Sequence, residues 1–223
     1  MAEPVYVRGV GNEVDEVRRA IANPIDSAPL RDLARRGKRV AIAVDDITRS
    51  TPCRTILPVV VDELVAAGVN AHDIMMIIAL GTHREMSEEE ALERYGEEIV
   101  SRIEIVNHDA GDRDALIDLG QTPSGTPIIV NRSFYEADVR VAIGNVIPHM
   151  YAGWSGGAKA VQPGVSSEAT TYSTHIAAAR IPLEELVGKV ENPIRREMEM
   201  VARSVGLHFI LNTVLNERGE LVK

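Results

Sequence analysis

Short apolar runs alternate with amphipathic segments along this chain, and that alternation constrains the fold more than any other feature. The runs lie at residues 39–44, 74–79, 102–106, 127–131 and 139–144. Each is short and rich in Val, Ile or Met, which is typical of a buried strand. Strands that alternate with helices indicate an α/β fold built on a parallel sheet. We therefore predict a Rossmann-like sheet flanked by helices.

Helix signals lie between and after these runs. Apolar residues at helical spacing predict a helix from Thr55 to Ala67, and Gly68 supplies the expected stop. This helix and the strands on either side of it form one βαβ unit. Ser87 and Glu90 form a capping-box pattern before a helix at 88–95. Further along the chain, the sequence predicts helices at 168–179 and 192–205 and a strand at 207–215.

Two segments are less regular. Residues 109–126 are rich in Gly, Asp, Thr and Pro, which predicts a loop with a short extended piece, or a hairpin that ends at 127–131. The last eight residues, NERGELVK, look like a turn entering a strand that the sequence does not complete. We therefore expect residues 1–223 to form one domain that is incomplete at its C-terminal end.

The composition favours a small-molecule ligand. The formal net charge is −9, and the 24 Lys and Arg residues are scattered, so the sequence lacks the basic cluster that nucleic acid or an anionic membrane would bind. No signal peptide is recognised, and no stretch approaches the roughly 18 apolar residues of a membrane span. The one cysteine, Cys53, agrees with a reducing compartment. We expect a cytoplasmic protein without nucleic-acid or membrane partners.

Chemically reactive side chains follow the predicted strands, where open α/β sheets bind their ligands. The loop DDITRST, residues 45–51, follows the first strand and precedes a helix. Arg49 could give a carboxylate or phosphate two hydrogen bonds, and free N–H groups at a helix start favour the same anions. Alternatively, Asp46 or Thr48 caps the helix and Arg49 pairs with a carboxylate at the surface. Local sequence leaves both interpretations open.

Two histidines follow two other strands, His83 after the second and His149 after the strand at 139–144. A base on each face of a carbon is what stereochemical inversion needs, since one face must lose what the other receives. An imidazole of pKa ~6.5 is too weak to remove a carbon-bound proton from a simple hydroxyacid, because each missing pK unit adds about 1.4 kcal/mol. Such a reaction needs an electron sink. Taken alone, His83 could equally cap the next helix or face solvent.

The long connection after residues 139–144 contains the stretch SGGAK. Gly156 and Gly157 would let the backbone approach a ligand closely, and Lys159 could bind phosphate or form a covalent link with a cofactor. The stretch matches no standard phosphate loop, so Lys159 could also be a solvated lysine. His175, on the following helix, is either a metal ligand or a histidine that faces the core.

These motifs occur in a known order. The segments DDITRSTP, GTHREMSEEE, NHD, GTPIIVN and IGNVIPHMYAGWSGGAKAVQPGVSSEATTYSTH resemble the nickel-dependent lactate racemase family, over residues 23–175. The resemblance depends on the agreement of all five motifs in order rather than on any one of them. It implies the N-terminal, cofactor-carrying domain of a two-domain racemase whose second domain lies outside this chain.

The family uses a nickel-pincer nucleotide, pyridinium-3,5-bisthiocarboxylic acid mononucleotide nickel, and this cofactor would be the electron sink. The resemblance implies that Lys159 is joined covalently to the cofactor and that His175 completes the coordination of nickel. It also implies that His83 and His149 are the acid–base pair and that Arg49 holds the substrate carboxylate. The residues expected beside the cofactor are Asp46, Thr48, Gly156 and Gly157.

The sequence therefore predicts a racemase or epimerase of a small 2-hydroxyacid, lactate or a related hydroxycarboxylate, that works by reversible hydride transfer to the cofactor. Its partners would be the hydroxyacid and the cofactor-synthesis enzymes, and a homodimer is left open. One alternative is a non-catalytic module that binds a nucleotide or a metal. A metal-dependent hydrolase ranks third, since no HExxH or similar ligand spacing occurs.

Overall fold

A parallel five-stranded sheet forms the centre of the fold. The computed structural model describes residues 5–223, and residues 1–4, part of the N-terminal segment in which no signal peptide is predicted, lie outside the described range. The strands are β1 (Val40–Val44), β2 (Ile74–Ile78), β3 (Glu104–Asn107), β4 (Leu116–Gln121), β5 (Pro127–Asn131), β6 (Val139–Asn145), β7 (Pro148–His149), β8 (Gly153–Trp154) and β9 (Phe209–Thr213). The order in the main sheet is β3-β2-β1-β6-β9.

Helices connect these strands. They are α1 (Glu13–Ala22), α2 (Leu30–Leu33), α3 (Cys53–Ala66), α4 (Glu88–Tyr95), α5 (Glu97–Val100), α6 (Arg132–Glu136), α7 (Glu168–Ala178) and α8 (Pro193–Val205), with short 3₁₀ turns at Ala71–Asp73, Gly157–Ala160 and Leu183–Glu185. The strands β1 and β2 are parallel and joined by α3, which confirms the predicted βαβ unit. The predicted capping box before α4 is also present.

Both faces of the sheet are covered by helices, which explains the continuous apolar runs. In β1, Val40, Ile42 and Val44 pack in the core beneath α1, α3 and α4, whereas Ala41 and Ala43 pack in the core beneath α6 and α8. Successive side chains of a strand point to opposite faces, so a strand covered on both sides must be apolar throughout. The sequence prediction of an α/β fold is confirmed.

The two irregular segments form small structures outside the main sheet. Residues 109–126 contain β4, which pairs antiparallel with β5 in a separate two-stranded sheet, and this confirms the hairpin alternative. At the other end of the chain, Leu215 and Leu221 form an isolated antiparallel bridge around the predicted turn. The N–H of Val10 donates to the carbonyl of Leu221 at 2.7 Å, so the segment before α1 lies against this turn.

The strand order creates a crevice at one end of the sheet. The chain builds outward from β1 to β2 and β3 on one side, and later returns to place β6 and then β9 on the other. The connections that leave β1 and β6 therefore diverge, and such a switch point is where open α/β sheets bind ligands. Among the described residues, no helix has the length and apolar character that crossing a membrane requires.

Candidate functional site

A cavity of about 140 Å³ lies at this switch point, beyond the carboxyl ends of β1, β2 and β6. Its walls include the loop 45–51, here called the acidic loop, the turn 81–83 after β2, the loop 149–160, here called the glycine loop, and α7. The predicted site residues that line it are Asp46, Arg49, His83, His149, Gly156, Lys159 and His175. Thr48 and Gly157 are not among the lining residues.

The acidic loop does not cap the following helix. The helix α3 begins at Cys53, and the residue before it is Pro52 rather than Asp46 or Thr48. Instead, Thr48 supports Asp46, because its main-chain N–H and its hydroxyl both donate to Asp46 Oδ1, at 3.0 and 2.5 Å. Thr48 therefore contributes to the site by holding a side chain that faces the cavity.

Asp46 in turn fixes His83. The distance from His83 Nδ1 to Asp46 Oδ2 is 2.5 Å. Burial works to raise the pKa of the Asp46 carboxyl, but hydrogen bonds from Thr48 and His83 outweigh it and leave the pKa below its ordinary value. A carboxylate can only accept hydrogen bonds, so this contact assigns the proton of His83 to Nδ1. The Nε2 atom of His83 then keeps a free lone pair, which is the form a general base requires.

A partly buried arginine that sequence reasoning missed stabilises the acidic loop. Arg94, on α4, binds Asp45 Oδ1 at 2.7 Å and donates to the carbonyl of Arg49 at 3.0 Å. The Thr51 hydroxyl holds the other oxygen of Asp45 at 2.5 Å. Only 11% of the Arg94 side chain is exposed, so this ion pair is shielded from solvent and fixes the loop that presents Arg49.

His149 is held differently, by the backbone of its own turn. The main-chain N–H groups of Tyr151 and Ala152 both donate to His149 Nδ1, each at 3.2 Å. These donors leave no room for a proton on Nδ1, so the neutral ring carries its proton on Nε2. Burial, followed by the charges of Lys159 and Arg49, lowers the pKa of His149 to about 4. His149 is therefore neutral at physiological pH, in the tautomer opposite to that of His83.

The glycines of the glycine loop are needed for packing within the chain itself. Gly156 has φ +75°, and a Cβ there would lie 2.6 Å from Asn212 Oδ1. Gly157 has φ +58°, and its N–H donates to the same Asn212 oxygen at 3.1 Å. Arg195, another residue that sequence reasoning missed, donates to the carbonyls of Trp154 and Gly156, each at 3.2 Å. These contacts fix the backbone that leads into Lys159.

Lys159 lies in the 3₁₀ turn that ends the glycine loop, with its side chain in the wall of the cavity. Burial, together with the nearby charge of Arg49, lowers the pKa of the Lys159 amine to about 8. The Lys159 side chain therefore lines the cavity and is not a fully solvated lysine. A partly buried amine whose pKa is lowered to about 8 can act as a nucleophile for covalent attachment, because an appreciable fraction of it is unprotonated.

His175 completes the site from α7. Its Nδ1 lies 2.7 Å from the carbonyl of Thr171, one helical turn earlier. A carbonyl only accepts, so the proton is on Nδ1 and the lone pair of Nε2 is free. Metal-ligating histidines are usually oriented in this way, with one ring nitrogen donating to a carbonyl or carboxylate and the other free to bind the metal.

The amino-acid sequence also matches known proteins. Residues 1–185 match the family model of the lactate racemase N-terminal domain. A curated relative named lactate racemase, from Lactiplantibacillus plantarum, is 34% identical over 212 residues, and another from Thermoanaerobacterium thermosaccharolyticum is 35% identical over 212 residues. Each match covers 95% of this chain and 50% of the relative, so the chain spans about half the length of the curated relatives it matches.

Solved structures show the same likeness. The lactate racemase apoprotein from Thermoanaerobacterium thermosaccharolyticum superposes with a TM-score of 0.89 and 34% identity, covering 96% of this chain and 52% of that chain. A Thermotoga maritima protein from a structural genomics consortium gives a TM-score of 0.79 and 26% identity, covering 97% of this chain and 55% of that chain. The chain therefore belongs to the lactate racemase family, and the part described here corresponds to the family's N-terminal domain.

Proposed function

We propose that this chain is the cofactor-binding half of a racemase or epimerase of a small 2-hydroxyacid, and that it holds a nickel-pincer nucleotide through a covalent bond to Lys159. The observation that carries the proposal is the convergence of His83, His149, Lys159 and His175 on one cavity at the switch point of the sheet. Membership in the lactate racemase family supports it, and the names of the relatives favour lactate or a similar acid as substrate.

The side chains around the cavity fit such a cofactor. The lowered pKa of Lys159 suits covalent attachment, and His175 offers a free Nε2 atom to a metal. Among the described residues, no three His, Cys, Asp or Glu side chains are grouped so as to hold a metal ion. In the proposal, the other donor atoms for nickel belong to the nucleotide, and His175 adds one protein ligand.

When bound, the cofactor would accept a hydride from the hydroxyl-bearing carbon of the substrate and return it to either face. His83 takes the hydroxyl proton at Nε2 as that hydride leaves, which yields a planar 2-keto acid. Asp46 holds Nδ1–H and stabilises the imidazolium that forms on His83. Arg49 binds the substrate carboxylate through two hydrogen bonds.

His149 serves the substrate oxygen on the opposite face. Its Nε2–H is a hydrogen-bond donor in the resting protein, because Nδ1 accepts from the amides of Tyr151 and Ala152. To exchange a proton at Nε2, the ring must release those amides, so the turn at 150–152 has to shift during the reaction. With His149 on the opposite face of the planar keto acid, the bound cofactor would be able to supply hydride to that face, which is what inversion of the carbon centre requires.

Racemisation stays part of the proposal, since this chain spans about half the length of the curated lactate racemases it matches. In the isolated chain, we expect cofactor binding with little turnover, because an open site admits water. The alternative of a binding module therefore describes the isolated chain. No observation favours the metal-dependent hydrolase. The proposal also implies a cytoplasmic protein that receives its cofactor from cofactor-synthesis enzymes.

Intact mass spectrometry after co-expression with the family's cofactor-synthesis enzymes tests the proposal, with nickel measured on the same sample. We expect a mass increase and about one nickel per chain, both of which are lost in Lys159→Ala. The exposed Lys189→Ala is the matched control and should keep both. If the longest natural form stays unmodified and free of nickel, or if Lys159→Ala carries the same adduct, the proposal is wrong.

A further inference from the structure

Two buried polar groups in the cavity wall have no hydrogen-bond partner. Among the described residues, the unpartnered buried side-chain atoms are Asn145 Nδ2, Thr171 Oγ1 and Gln162 Oε1. Asn145 and Thr171 line the cavity, and only 2% and 1% of their surfaces are exposed. An unpartnered buried polar group costs stability, so native proteins retain few of them without a reason.

The hydroxyl of Thr171 is unusual for its position in α7. A threonine inside a helix commonly donates its hydroxyl to the carbonyl four residues earlier. Here the Ser167 carbonyl accepts the main-chain N–H of Thr171, while the hydroxyl has no partner. Thr174, on the same helix and also in the cavity wall, is fully satisfied: its hydroxyl donates to the Thr171 carbonyl at 3.0 Å and accepts from Gln162 at 2.7 Å.

The amide of Asn145 occupies the switch point itself, as the last residue of β6. Its carbonyl accepts the Ser155 hydroxyl at 2.6 Å, so its main chain is fixed beneath the glycine loop. The side-chain Nδ2 can only donate. The cations Arg49 and Lys159 line the same cavity. A donor amide, a hydroxyl and two cations together suit an anion whose oxygens accept hydrogen bonds.

We propose that Asn145 Nδ2 and Thr171 Oγ1 are binding groups for an oxyanion, a carboxylate or phosphate, of the molecule held in this cavity. This inference rests on the proposed function in one respect: the proposed function says which molecule supplies the oxyanion, either the nucleotide cofactor or the 2-hydroxyacid. The binding itself requires neither nickel nor turnover. Both groups are thus kept unpaired in the empty protein and become paired when the oxyanion binds.

Thermal unfolding of the empty 223-residue chain tests the proposal without any ligand. Thr171→Val keeps the shape of the side chain and removes the unpartnered hydroxyl, so it should raise Tm by about 2–4 °C. Thr174→Val, the matched control on the same helix, removes two hydrogen bonds and should lower Tm. If Thr171→Val lowers Tm as Thr174→Val does, the Thr171 hydroxyl is a structural group and the proposal is wrong.

Calorimetric titration with nicotinate mononucleotide and with L-lactate then identifies the source of the oxyanion. Asn145→Asp replaces the donor with a negatively charged acceptor of the same shape, so it should weaken binding by at least about tenfold. A loss confined to the mononucleotide assigns the two groups to the cofactor, and a loss confined to lactate assigns them to the substrate. Wild-type affinity of a folded Asn145→Asp for both probes overturns the proposal.

These outcomes are separate from those of the Lys159 experiment. Suppose that the chain takes up no covalent adduct, that Thr171→Val raises Tm and that Asn145→Asp weakens oxyanion binding. The proposed cofactor is then refuted, and the oxyanion site stands. The converse result is also possible. If both variants carry the adduct as well as the wild type does and Thr171→Val lowers Tm, the oxyanion site is refuted and the proposed function stands.

Discussion

The acidic loop and the glycine loop both line one cavity, but they are held by different kinds of contact. In the acidic loop, the contacts that hold the charged groups are between side chains: Arg94 binds Asp45, and Asp46 binds His83. Arg94 adds one hydrogen bond to the main-chain carbonyl of Arg49. In the glycine loop, the contacts involve the main chain: two backbone amides bind the ring of His149, and Arg195 binds two carbonyls. His83 and His149 consequently lie in different electrostatic environments.

This difference gives the two imidazole rings opposite protonation patterns. A carboxylate beside His83 places the proton on Nδ1, whereas backbone donors beside His149 place it on Nε2. One ring therefore presents a base to the cavity while the other presents a donor. In the proposed reaction, His83 can therefore accept a proton at Nε2 as it stands, whereas His149 must first release the two backbone amides before it can do the same.

The largest expected effect comes from removing the carboxylate that orients His83. In the longest natural form, Asp46→Asn should lower kcat for lactate racemisation by about 10³-fold with little change in KM, because the amide can donate to Nδ1 and leave Nε2 protonated. Chiral analysis of the product measures the rate, and nickel content on the same sample checks that the cofactor is loaded. A fully loaded variant with near-normal kcat would contradict the assignment of His83 as a base oriented by Asp46.

A smaller effect is expected from the arginines that brace the two loops. Arg94→Met leaves the carboxylate of Asp45 buried without its cation, which should lower the free energy of unfolding by about 3 kcal/mol. Arg195→Met removes two hydrogen bonds to carbonyls and should cost about 1–2 kcal/mol. Urea unfolding of the empty chain compares the two variants. If the two variants lose the same free energy of unfolding, the ion pair in the acidic loop contributes no more to stability than the two hydrogen bonds to the glycine loop.

The smallest expected effect is the dependence of stability on pH. The pKa of His149 is about 4 in the folded chain, below its ordinary value of 6.5, so the unfolded chain binds the extra proton first. Stability should therefore fall as the pH decreases from about 6.5 toward 4. His149→Gln should reduce this fall, because the glutamine oxygen can accept the backbone amides without titrating. The exposed His72→Gln is the control and should leave the wild-type curve unchanged.

Two other histidines contribute to the pH dependence that remains in His149→Gln. Burial lowers the pKa of His108, and burial together with the charge of Arg140 lowers the pKa of His208, so both contribute with the same sign. The Nε2 atom of His108 lies 2.9 Å from the carbonyl of Ser166, and this contact joins the loop after β3 to the end of the glycine-rich connection. If His149→Gln and the wild type lose stability identically below pH 6.5, folding does not lower the pKa of His149.

The sequence predicts features that depend on neighbours along the chain. The strand runs of the main sheet, α3 between β1 and β2, and the capping box before α4 are all local patterns, and the structure has them. His83 and His149 could be identified because each follows a strand, and the carboxyl ends of parallel strands meet at one edge. The helix α1 was missed, since its buried face consists of little more than Val17 and Ile21.

Residues that act through distant contacts could not be predicted in this way. Arg94 lies in EEEALERY, which reads as an exposed helix, yet its partner Asp45 is 49 positions earlier. Arg195 reaches the glycine loop from α8, about 40 positions later in the chain. For Asn145 there was a weak signal, because it is the first polar residue after an apolar strand, at the end where ligands bind.

The hydrogen bond between His175 and the Thr171 carbonyl makes the orientation of the proposed metal ligand depend on helical register. Each residue of an α-helix advances by about 1.5 Å and turns by about 100°. One residue inserted between these two positions would rotate the ring away from the cavity and separate it from its carbonyl. Variation in this family should therefore be tolerated in the composition of that helical turn but not in its length.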